Sequence, residues 1–113
     1  MSTKTKQELV ERALQILVVL GAGQTPSAED SQAMGDIVRP LLDRLNASDD
    51  LAIASEDLID TTVFEPLAGL LANAGAPTFG GTFDQSVEDA YIAQIKRVTR
   101  GRPTYRIQSV QFS

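Results

Sequence analysis

Fifteen carboxylates, ten cations and no histidine or cysteine set the chemistry open to this chain. The missing residue types exclude disulfides, thiolate zinc sites, cysteine nucleophiles and every Ser-His or Cys-His catalytic pair. What remains is carboxylate chemistry, phosphate binding by backbone or cations, and charge recognition. The acids gather at Asp49, Asp50, Glu56, Asp57 and Asp60. Their spacing does not match a calcium loop, and the residue types suit solvated loop acids and helix caps. Glu88 and Asp89 fall where a helix start places them beside the positive end of its dipole. A pair of carboxylates could also serve a glycosidase, but no spacing singles out one pair among fifteen. The segment GAGQT (residues 21–25) has glycines like a phosphate loop. It lacks the lysine and serine of that motif and follows a helix instead of a strand, so it reads as a connector.

The basic residues are the more pointed feature. Residues 1–89 carry five bases and fifteen acids, a net of −10, whereas residues 90–113 carry five bases and no acid, a net of +5. No base stands between Arg44 and Lys96. The chain is therefore dipolar, with an acidic body and a basic end. Lys96, Arg97, Arg100, Arg102 and Arg106 are followed by or interleaved with Tyr105, Ile107, Val110 and Phe112. Three readings fit: a helix end with a solvated tail, a grip on nucleic-acid phosphates, or an apolar and basic arm for an acidic protein surface. A second copy of this acidic chain is one such surface, and a head-to-tail pairing of that kind closes into rings or runs into filaments. The net charge of −5 argues against a general nucleic-acid binder.

These residues need a scaffold, and 113 residues with 42% hydrophobic content suffice for one domain with a real core. Aromatics are scarce, so aliphatic side chains must fill it. The uninterrupted apolar run Ile16 to Leu20 is far too short to span a bilayer, and no secretory signal pattern is present. Thr5 and Glu8 have capping-box spacing, and Leu9, Ala13, Ile16, Leu17 and Leu20 continue as a helix face toward a stop at Gly21 and Gly23. Thr25 as cap, with Pro26 at the first helical position, opens a second helix. Ala33, Met34, Ile37, Val38, Leu41, Leu42 and Leu45 form its face, and Pro40 predicts a kink. Leu51 to Ser55 reads as a short strand or extended piece. A third helix starts near Asp60, turns Phe64, Leu67, Leu70 and Leu71 inward, and stops at Gly75. A fourth runs from about Asp84 to Arg100 with Val87, Tyr91, Ile95 and Val98 on one face. Pro103 ends it, and an extended run follows in which Tyr105 and Ile107 point one way and Val110 and Phe112 the other. The reading is an all-α chain: a bundle of about four helices over residues 1–101, then an extended C-terminal arm over residues 102–113.

The opening TKTKQELVERALQILVVLGAGQTPSAEDSQAMGDIVRPLLDRL resembles the start of the head-to-tail adaptor proteins of short-tailed bacteriophages. The matching residues are Thr5, Lys6, Leu9, Val10, Ala13 and Leu14, then Gly21, Pro26, Glu29, Gln32, Met34, Leu42 and Leu45. FEPLAGLLANAGAPTFG (Phe64 to Gly80) is similar to the third-helix region of such proteins. The likeness covers about two-thirds of the chain, which is shorter than better-known members. The resemblance implies a structural virion protein of the head-tail interface, present in the host cytoplasm during assembly. It implies a ring, typically of twelve copies, that binds the portal protein above and tail or nozzle proteins below. Packaged DNA would pass through the lumen without sequence-specific contact. It implies no catalytic residue, cofactor, metal or membrane contact. The residues expected to reach the portal or a neighbouring subunit are Lys96, Arg97, Arg100, Arg102, Tyr105, Arg106, Ile107, Val110 and Phe112. Two other classes remain: a small regulatory nucleic-acid binder using the basic end, and a carboxylate hydrolase of cell-wall sugars.

Overall fold

The computed structural model of the chain describes residues 3–17, 25–47 and 55–100. Four α-helices carry the architecture: α1 (Lys6–Ile16), α2 (Ala28–Ala47), α3 (Thr61–Gly75) and α4 (Gln85–Arg100). The all-α expectation holds. The exception is a two-strand ladder of β1 (Thr3–Lys4) and β2 (Ile59–Asp60), antiparallel, with Thr3 opposite Asp60 and Lys4 opposite Ile59. Two residues per strand are too few to show alternation, so sequence pattern gave no sign of it.

The helices begin where side chains satisfy their orphan N–H groups. Thr5 Oγ1 accepts from the Glu8 N–H at 3.2 Å, and Glu8 Oε1 accepts from the Thr5 N–H at 2.9 Å. This is the expected capping box of α1. The end of α1 differs: it closes at Ile16, with the Leu17 N–H returned to the Ala13 carbonyl, ahead of Gly21 and Gly23. Those glycines, and Val18 to Leu20, lie outside the described residues. The cap of α2 is Ser27, not Thr25. Its Oγ accepts from the Asp30 N–H at 3.1 Å, and its carbonyl takes the Ser31 N–H at 3.0 Å. Thr25 stands two residues too early to reach the first turn. α2 is assigned continuously through Pro40, where the carbonyl four residues back belongs to Asp36. Both residues are exposed, so water can take the lost bond. Asp60 caps α3 through the Thr62 N–H at 2.9 Å, as expected. Of the segment read as a strand near Leu51, only Ser55 is described, and it is not in a strand.

α3 is the axis of the molecule. α1, α2 and α4 all pack against it, and α1 also packs on α2. Eleven of its fifteen residues are buried, including the expected Phe64, Leu67, Leu70 and Leu71. A helix apolar on nearly every side must be covered on nearly every side. The core is aliphatic, as composition required: Leu9, Leu14, Met34, Leu42, Leu45, Leu67, Leu70, Leu71 and Ile95 are fully buried. Close approach between helices depends on two glycines of α3. A Cβ at Gly69 would lie 2.3 Å from the Tyr91 ring, and one at Gly75 would lie 2.8 Å from the Met34 sulfur.

Candidate functional site

The described members of the acid cluster, Glu56, Asp57 and Asp60, are held by the fold. Asp60 caps α3, and Asp57 Oδ1 accepts from the Lys6 N–H at 3.2 Å. Glu56 pairs with Lys6 (3.2 Å) and Arg39 (3.5 Å). Lys6 lies near Glu56 Oε1 by distance but off the direction of a hydrogen bond, so that enclosed oxygen is held by charge. The cluster thus ties the start of α1 to α2 and to the approach of β2. Asp49 and Asp50 lie outside the described residues, as do Gly21 to Gln24 of the glycine loop. Among the described residues no group of three or more acids is placed to hold a metal ion. An open cleft of about 370 Å³ lies between α1 and α2, bordered by Gln7, Val10, Ser31, Gly35, Asp36 and Asp57. Asp36 there accepts from Gln32 at 2.8 Å, an ordinary surface bond within one helix.

The strongest concentration of exposed apolar surface among the described residues lies along α4. Among the described residues, the large apolar side chains left exposed are Leu58, Phe83, Val87 and Val98. All but Leu58 belong to α4 or the residues leading into it. Lys96 and Arg97 are also exposed, in the last turns of that helix. Arg100 closes α4, while Arg102, Tyr105, Arg106, Ile107, Val110 and Phe112 fall outside the described residues. Of the sequence-predicted contact residues, the structure therefore places Lys96 and Arg97 together on one helix end.

Four anchors hold α4 so that this face points outward. The Tyr91 ring sits over Gly69, and Ile95 enters the core. Asn73, itself buried, clamps the residue before the helix: its Nδ2 donates to the Asp84 carbonyl at 2.9 Å, and its Oδ1 accepts the Asp84 N–H at 3.0 Å. Asp84 in turn caps α4, accepting from the Ser86 hydroxyl at 2.7 Å and the Ser86 N–H at 2.9 Å. Those bonds, the hydroxyl first, hold the Asp84 carboxyl below the ordinary aspartate value. The fourth anchor is Glu88, which stands in the first turn of α4 as expected. It is also a buried carboxylate, 7% exposed, accepting two parallel bonds of 2.9 Å from Arg44 Nη1 and Nη2. This fork geometry is the strongest form of side-chain ion pairing.

That pair links α4 to α2. The covered stripe becomes Glu88, Tyr91, Ile92, Ile95 and Thr99. Tyr91 and Ile95 keep their expected place, whereas Val87 and Val98 move to the rim at 37% exposure each. Sequence reasoning missed Arg44, Asn73 and Gly69. Glu88 gave a faint signal, since it sits three and seven residues before Tyr91 and Ile95, within the apolar stripe. Compared with known proteins, the chain matches no family model, no curated protein and no solved structure.

Proposed function

We propose that the chain is a structural docking module, a head-to-tail adaptor that joins capsid to tail in a short-tailed bacteriophage by seating α4 and the chain beyond it on a portal ring. The observation that carries this reading is the outward face of α4. Exposed apolar and basic side chains occupy different sides of the solvent-facing surface of one helix that is anchored from behind. A folded body with a committed contact face suits assembly. The resemblance of the first two helices and of residues 64–80 to the adaptor proteins supplies the partner. An acidic body suits a conduit for DNA, because a negative wall does not trap the passing duplex. A channel lined with Lys and Arg would overturn that part of the reading.

The test is electron microscopy of the chain mixed with portal rings, beside a chain truncated after Gly101. The full chain is expected to add a second ring below the portal. The truncated chain is expected to keep its helicity in far-UV circular dichroism and to leave the portal bare. Normal decoration by the truncated chain would sink the proposal. A DNA-binding role through the same bases predicts retention of the isolated chain on duplex DNA that falls steeply with salt. The exposed valines on the same helix as those bases speak for a protein surface, since phosphates offer valine nothing.

A further inference from the structure

The sides of α4 differ in a way that bears on what covers them. Val87 and Val98 are eleven residues apart, three helical turns, and therefore share one flank. Asp89 and Lys96 are seven apart, two turns, and share the opposite flank, both exposed. Between the flanks, facing straight out, are Ser86, Ala90, Ala93 and Arg97, all exposed, with the two alanines nearest the middle of the helix. Acids stand in the first half of the helix and bases in the second. Each flank is arranged symmetrically about one point, the middle of the helix between Ile92 and Ala93.

We propose that this face binds the same face of a second copy, antiparallel, to form a two-fold dimer. Only one register is needed. With the two helix midpoints facing each other, Val87 lies opposite Val98 of the second copy, and Val98 opposite its Val87. In the same register Asp89 lies opposite Lys96 of the second copy, and Lys96 opposite its Asp89. A parallel two-fold pairing instead sets the charged flank of each copy against the valine flank of the other, which matches neither. The alanines keep the centre of the contact free of bulk, and Arg97 of each copy lies near Ser86 of the other, so the helices meet within the 8–10 Å range of helix packing. The opposed helix dipoles add to the attraction. The contact is isologous, each patch its own complement. It rests on the exposed face of α4 alone and stands whether or not the chain is an adaptor. If both hold, the dimer covers the face that the portal would use, so self-association and docking compete.

The test uses the full chain with no partner present. Sedimentation velocity at low salt is expected to show a monomer giving way to a dimer as concentration rises. Asp89→Lys, which makes both charged contacts repulsive, is expected to raise the dissociation constant about tenfold or more. Asp89→Lys with Lys96→Asp is expected to restore it. Because the chain has no cysteine, register can be read directly with a short thiol cross-linker. A mixture of Val87→Cys and Val98→Cys chains should give cross-linked dimer, and either alone much less. A chain monomeric at every concentration, a double charge variant no better than the single, or efficient cross-linking of Val87→Cys to itself would each overturn the proposal.

Discussion

At the scale of single residues, the informative positions are those where one atom decides the packing. Gly69 has no side chain because the Tyr91 ring occupies its place, 2.3 Å from where a Cβ would stand. Gly69→Ala must push the ring, and α4 with it, off α3. The expected loss is about 1–3 kcal/mol, read as a lower urea midpoint with an unchanged slope. Adding Tyr91→Leu should recover part of it, since leucine carries no ring over that spot. Arg44 and Glu88 make the second such case. Arg44→Ala strands a carboxylate that is 7% exposed, with an expected cost of about 2 kcal/mol. Glu88→Gln keeps one hydrogen bond and needs no counter-charge, so it should cost less than Arg44→Ala in the same melts. Neither pair was visible beforehand. Residues 44 and 88 are linked by no local spacing, and a glycine inside a helical pattern reports only that something is close.

At the scale of elements, the pattern of each helix was legible where its own chemistry set it. Thr5, Asp60 and Gly75 could be read because capping and stopping are local events. The start of α2 was misread because Thr25-Pro26 and Ser27 both offer a plausible cap, and only the closed turn at Asp30 chooses between them. The face of α4 was half legible. Ile95 lies in the core with Tyr91 packed against it, but the helix sits so that Glu88 is covered and Val87 and Val98 stand at the rim, a tertiary outcome on a helix whose periodicity permits either rotation. The caps also predict a pH response. The Thr5 N–H holds Glu8, and the Ser86 hydroxyl and N–H hold Asp84, below their ordinary carboxylate values. A depressed folded value means stability that is present at neutral pH and lost as pH falls through the depressed value. The loss should therefore begin near the ordinary carboxylate range of about pH 4 and be complete at lower pH. Asp84→Asn keeps a good cap without the titration. Its stability at neutral pH should stay close to the parent's, and its decline on acidification should be shallower. Thermal melts at a series of pH values would check both.

For the whole molecule, the governing facts are an acidic body, a basic end and a central helix. The charge separation was fully readable in sequence, since it needs only counting. Its use was not, because which bases reach a partner depends on how α4 is rotated and on what lies beyond it. α4 rests on α3 and covers part of it, so a chain ending before Asp84 uncovers apolar surface on the most buried element. Such a chain is expected to bind the dye ANS and to lose near-UV signal while keeping much of its helicity, the marks of a loosened core. The burial of α3 also dictates how the sequence can drift. In a saturation library scored for folded protein, α1, α2 and α4 should tolerate change at the two or three positions of each turn that face water, giving a striped map. α3 has almost no such positions and should appear as a nearly solid block from Val63 to Gly75, broken at Glu65, which is exposed. Variation between descendants of this chain would then collect on the outer helices, and α3 would be the segment by which distant copies still resemble one another.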